Sequence, residues 1–198
     1  VTGVQTCALP ISSFNYPYGV AVDGSGNVYV GDANNARIRK ITPEGVVTTL
    51  AGSGSKGSTN GTGTAASFNN PCGVAVDGSG NVYVADESNQ RIRKITPGGV
   101  VTTLVGSGSK GSTNGTGTAA LFNGPYGVAV DGSGNVYVAD FYNHLIRKIT
   151  SAGVVTTLAG SSSQGSADGT GTAASFYWPY GVAVDGSGNV YVADAYNH

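Results

Sequence analysis

Apolar and polar positions alternate along short stretches of this chain, and the alternation returns at a fixed interval. Val20 and Val22 fall on one side of a strand, and Val28 and Val30 on one side of the next. Between them lies Asp23-Gly24-Ser25-Gly26-Asn27. Its glycines take positive φ without strain, and its Asp and Asn side chains close turns on the backbone. The pattern predicts a β-hairpin. Ala36 to Thr42 reads as a third strand and Pro43-Glu44-Gly45 as the next turn. Val46 to Ala51 reads as a fourth strand, rich in β-branched residues that suit a pleated surface.

The hairpin unit P-x-G-V-A-V-D-G-S-G-N-V-Y-V-x-D begins at Pro17, Pro71, Pro125 and Pro179, each 54 residues from the last. A fixed period of this size marks a repeat architecture. One period is a four-stranded antiparallel meander plus a Gly/Ser/Thr loop. Such a sheet is apolar on both faces and cannot stand alone. Stacking copies around an axis buries both faces, so the expected fold is all-β: a partial β-propeller, an open arc of four-stranded blades. A β-solenoid is the runner-up, but its coils are usually far shorter. Whole blades are expected at about 17–51, 71–105 and 125–159, with a half blade at 179–198. That half blade would leave a raw strand edge, an aggregation liability.

Composition narrows the function. With 10 basic and 11 acidic residues the formal net charge is −1, which gives no electrostatic case for nucleic acid or an anionic membrane. The 33 glycines alone would suggest disorder, but the strict period and the 39% hydrophobic content argue for a folded β-protein. No apolar run is long enough to span a bilayer. Residues 1–11, V-T-G-V-Q-T-C-A-L-P-I, break the repeat. They resemble the translation of a sequencing-library adapter, which would make Cys7 non-native. Residues 1–13 are accordingly expected to be a non-native or disordered leader, and the chain a fragment with both true termini elsewhere. Cys72 is then left without a partner, and no disulfide or compartment follows.

The third copy runs on into Tyr142-Asn143-His144-Leu145-Ile146-Arg147-Lys148-Ile149. With P-x-G-V-A-V-D-x-x-G-N-V-Y-V-A-D before it, this closely resembles the NHL repeat, and the resemblance covers residues 14–198. It implies a propeller, often six-bladed, that serves most often as a binding platform. A minority of relatives are lyases or hydrolases with a metal on the propeller axis. Some relatives bind RNA through a basic end face, which this sequence does not display. The low charge and Ser/Thr/Asn/Gly-rich loops look like those of bacterial secreted or cell-surface members.

Motifs with chemical precedent are weak. Gly52-Ser53-Gly54-Ser55-Lys56-Gly57 matches G-x-G-x-x-G but opens no helix that could face a pyrophosphate, and Ser53 to Lys56 matches S-x-x-K without partner motifs. No cofactor is expected. Asp23, Asp77, Asp131 and Asp185 end the first strands; Asp32, Asp86, Asp140 and Asp194 end the second. A carboxylate ring can hold a hard cation, which makes the second set weak metal candidates. Because every copy has both, a local turn-capping role explains them better. Eight of ten basic residues lie in third strands, where their stems can pack between blades while the heads reach solvent or the Asp residues. His144 and His198 share one repeat position and read as structural. Phe68, Phe122 and Phe176 are expected to pin the inter-blade loops, each behind a single helical turn.

A catalytic site needs unlike residues converging from unlike blades, and most of this chain is copied. Variation concentrates at the approach to the first strand and at the turn after the second. In a four-strand meander these lie at the same end. The candidate ligand-binding residues are therefore Tyr16, Tyr18, Glu87, Tyr126, Phe141, Tyr142, Trp178, Tyr180 and Tyr196. They are rich in aromatics, which bring contact area with a polar handle. The expectation is a non-enzymatic module that binds protein or glycan through this end face, completed by further blades. The alternative is a fragment of a lyase or hydrolase whose axial metal site lies in those blades.

Overall fold

The computed structural model describes residues 13–197. The leader reading and the His198 assignment lie outside these residues. The fold is a partial β-propeller. The first sheet is an antiparallel meander of Pro17–Val22, Val28–Asp32, Arg37–Ile41 and Val47–Ala51, hydrogen-bonded in that order. The second holds Pro71–Val76, Val82–Asp86, Arg91–Ile95 and Val100–Val105. The third holds Pro125–Val130, Val136–Asp140, Leu145–Ile149 and Val154–Ala159. Pro179–Val184 and Val190–Asp194 form a further two-stranded sheet.

The first strands of successive sheets lie against one another, so they are the inner strands around the axis. Period-2 alternation feeds two inter-blade cores. One gathers Ile38, Phe68, Val74, Val84, Ile95 and Val101; the other gathers Ile92, Phe122, Val128, Val138, Ile149 and Val155. Glycine governs the approach at the axis. A Cβ at Gly127 would lie 2.6 Å from the Tyr180 carbonyl oxygen, and one at Gly19 or Gly73 would collide with the next inner strand's backbone. The glycine of P-x-G thus sets the blade spacing.

The linkers do more than the sequence reading expects. Each has its short 3-10 turn, at Gly63–Ala65, Gly117–Ala119 and Gly171–Ala173. Phe68 and Phe122 are fully buried. In addition, Gly61–Thr62 pairs with Val100–Val101, and Gly115–Thr116 with Val154–Val155. Each of these linkers lays a fifth strand on the outer edge of the blade it is about to enter, covering backbone groups that would otherwise be an open edge.

Candidate functional site

The two sets of aspartates fasten the scaffold. Asp23 accepts hydrogen bonds from the Ser25 and Asn27 amides, Asn27 Nδ2 and Tyr29 Oη at 2.8–2.9 Å, and these hold its carboxyl down at about 2. Burial and the Asp23 carboxylate push the Tyr29 hydroxyl up to about 12. Asp77, Asp131 and Asp185 repeat the arrangement.

Asp32, Asp86 and Asp140 are fully buried, each in its own blade. Asp140 accepts the Asn123 amide, Asn143 Nδ2 and Arg147 Nη1, all at 2.8 Å. Burial still pushes its carboxyl up to about 6 against these donors. Arg147 in turn donates to the Leu121 and Thr113 carbonyls and to Asn114 Oδ1, and lies 5.3 Å from the centre of the Phe122 ring. Asp86 and Arg93 form the same node. In the first blade the Arg39–Asp32 pair opens to 3.5 Å. These aspartates tie down the linker that precedes them by 17 residues, a wider role than capping their own turns. Their oxygens are occupied by protein donors, and among the described residues no three His, Cys, Asp or Glu side chains gather to hold a metal. The middle arginine of each third strand is likewise interior, and Arg93 and Arg147 show no exposed surface, while Arg37 and Arg91 are half-buried. The lysines beside them lie over tyrosine rings, Lys94 Nζ 5.5 Å from the Tyr83 ring centre.

At the propeller end reached by these linkers, each chain segment turns sharply before its proline. The anchored amides of Asn15, Asn69, Asn123 and Tyr177 lie 2.7–2.8 Å from an Asp oxygen. The next residue must then take positive φ: Tyr16 at 52°, Asn70 at 57°, Gly124 at 64°, Trp178 at 57°. Asn and Gly are at ease there, whereas Tyr and Trp are not. Neighbouring blades are stitched at this point. The Gly124 amide donates to Gln90 Oε1 at 2.7 Å, and the Trp178 amide to His144 Nδ1 at 3.2 Å. Burial pulls the His144 imidazole below its ordinary value, with Asp194 opposing.

The structure brings together most of the residues singled out above. Phe141 stacks on Trp178 at 5.4 Å between ring centres and lies 4.9 Å from Tyr126. Tyr196 meets Trp178 edge-on at 4.6 Å, and Tyr142 meets Phe141 edge-on at 4.8 Å. Tyr126 reaches Tyr180 at 5.0 Å and, across the small Cys72, Tyr18 at 6.3 Å. Glu87 Oε2 accepts Asn70 Nδ2 at 3.0 Å and Ser88 Oγ at 2.6 Å, beside this cluster. Tyr16 stands apart, 66% exposed and without an aromatic neighbour. Tyr177, at a position where the repeats also differ, belongs to the cluster, 5.2 Å from Tyr196 and 5.1 Å from Trp178. Its departure from Asn15, Asn69 and Asn123 at the same repeat position was the available signal.

Below the rings opens an axial cavity of about 180 Å³ lined by Tyr18, Cys72, Tyr126 and Tyr180, then the P-x-G glycines and Val20, Val74, Val128 and Val182. No charged side chain lines it. Burial, with Glu87 and Asp86 nearby, pushes the Cys72 thiol up to about 12, and its Sγ donates to the Asn70 carbonyl at 3.3 Å. It is a protonated hydrogen-bond donor and a poor nucleophile. Burial also raises Tyr126 and Tyr180, so both keep their hydroxyl protons.

The NHL repeat profile matches residues 14–41, 122–149 and 176–198, and the teneurin NHL domain profile matches residues 55–118. The chain belongs to the NHL-repeat family. NHL repeat-containing protein 2 of Gallus gallus is 40% identical over 97 residues, 48% of this chain and 13% of that protein. The chain spans a small part of the curated NHL relatives it matches. Among solved structures, a Bacteroides thetaiotaomicron protein of unknown function superimposes with a TM-score of 0.74 at 28% identity, over 90% of this chain and 44% of that one. An auxiliary nutrient binding protein of Bacteroides ovatus gives 0.72 at 22%, over 94% and 47%. A streptogramin B lyase gives 0.63 at 14% identity, over 90% and 48%, a likeness of fold alone.

Proposed function

We propose that this NHL propeller is a non-enzymatic binding module that holds its partner on the aromatic end face. The observation that carries the reading is the packing of Tyr126, Phe141, Tyr142, Trp178, Tyr180 and Tyr196 into one surface. Phe141, Tyr142, Trp178 and Tyr196 stand where the repeats differ, while Tyr126 and Tyr180 share their repeat position with Tyr18. The nutrient-binding relative of like fold agrees with a binding role, and with a secreted or cell-surface setting. The near-neutral charge agrees with a protein or glycan partner and not with nucleic acid.

Trp178 is the only tryptophan of the chain, so its fluorescence reports on the face directly. A panel of soluble polysaccharides and purified proteins such as gelatin is expected to include a ligand that shifts this emission saturably. The shift should vanish in the Tyr142→Ala/Tyr196→Ala variant, and the ligand's mass should be unchanged after overnight incubation. Turnover of the bound ligand would overturn the non-enzymatic reading, and a silent panel would overturn the face.

A further inference from the structure

Resting on that binding role, we propose that the occupant of the aromatic end face is a neutral glycan, stacked on the Phe141–Tyr142–Trp178–Tyr196 surface and hydrogen-bonded by the polar side of the rim. Charge is the first argument. The inner rim comprises the residues that precede each inner strand and those that follow each second strand. Among its described residues it carries no Lys or Arg, one carboxylate, Glu87, and one histidine, His144. An anionic ligand finds no counter-charge there.

Shape is the second argument. The rings meet edge-to-face and offset at 4.6–5.4 Å, which fills the space between them. No cage opens between these rings for an organic cation. Tyr142 and Tyr196 remain 45% and 54% exposed. A pyranose offers a face of C–H groups to such an exposed ring, and a girdle of hydroxyls.

Polarity is the third. Beside the rings the rim turns polar, with the Glu87 carboxylate, Ser88, Asn70 and, further round, Asn34 paired with Asn15. These suit the hydroxyl groups of a sugar. The axial cavity below, about 180 Å³ and ringed by tyrosines, is smaller than a usual small-ligand pocket and adds hydroxyl groups at the edge of the face.

Affinity electrophoresis of the chain through gels carrying xylan, laminarin, dextran, polygalacturonate, heparin or gelatin tests this. At least one neutral polysaccharide is expected to retard the protein. Trp178→Asn, which suits the backbone, and Tyr196→Ala should each weaken that retardation at least about tenfold. Glu87→Gln, which keeps a hydroxyl acceptor, should change it less than about threefold. Circular dichroism confirms the fold of each variant, and Tyr196→Ala remains informative should Trp178→Asn fail to fold. Retardation by gelatin or an acidic polysaccharide alone would overturn the neutral glycan and leave the binding face standing. Retardation by none of the six would overturn both.

Discussion

Tyr16 and Trp178 hold a backbone conformation that L-residues with large side chains avoid, at a cost of about 1–2 kcal/mol each. Tyr16 isolates the effect, because it is exposed and lacks an aromatic neighbour. Replacing it with the residue that blade two uses at this position, Tyr16→Asn, should stabilise the protein by about 1 kcal/mol. A urea titration reads this directly, and a lower midpoint would refute it. His144 is the other residue whose chemistry the backbone fixes. Its Nδ1 accepts the Trp178 amide only while the imidazole is neutral. Its folded pKa lies below the ordinary 6.5, so its contribution is complete above about pH 6.5 and is lost as pH falls below that value. Asp140, raised to about 6, acts in the opposite sense, because its folded state holds the proton more tightly between about pH 4 and 6. Comparison with His144→Gln cancels that background. Gln is the residue at the same repeat position in blade two, and its amide oxygen accepts the corresponding bond at 2.7 Å. Between pH 8 and 5.5 the wild type should lose stability relative to the variant; parallel urea midpoints would remove the histidine from the account.

At the scale of the element, the buried Asp–Arg node joins a second strand, a third strand and the linker before them. Asp140→Ala would leave Arg147 buried and uncompensated, a loss of about 3–5 kcal/mol. Asp32→Ala should cost less, because Arg39 lies 3.5 Å from its partner and keeps some exposure. Denaturant midpoints of the two variants decide the order, and equal losses would contradict it. This node also marks how far the sequence could be read. The meanders were legible because turn residues and period-2 alternation are local signals, and because 54-residue copies repeat them. The arginines read as packed stems with heads at solvent or aspartate, because their burial depends on a linker that folds over them. The strands Gly61–Thr62 and Gly115–Thr116 are too short to alternate, so no pattern announced them. The aromatic rim was legible only as difference between copies. The positive φ at Tyr16 and Trp178 was not, because it is imposed by an aspartate 17 residues from the residue it anchors.

For the whole molecule, the blades cohere through inner-strand backbones that only glycine lets approach. Stability in such an array is close to a sum of blade terms and nearest-neighbour interfaces. Gly127→Ala would set a Cβ 2.6 Å from the Tyr180 carbonyl oxygen and 3.0 Å from Gly181 Cα. Backbone on the far side cannot rotate away as a side chain would, so the interface between the third and fourth sheets must open, at about 1–3 kcal/mol. Gly132→Ala is the matched control, since nothing lies within 4 Å of its added Cβ and its φ is ordinary; its effect should stay within about 0.5 kcal/mol. Trp178 sits at the approach to the fourth sheet, so its fluorescence follows that interface while far-UV circular dichroism follows all the sheets. In Gly127→Ala the fluorescence transition should move to lower denaturant than the far-UV transition; in Gly132→Ala the two should keep their wild-type relation. If both variants behave alike, inner-strand spacing does not couple the blades. If the fluorescence alone moves in Gly127→Ala, the same spacing that builds the propeller also fixes the distance between Tyr126 and Tyr180, and with it the mouth of the axial cavity.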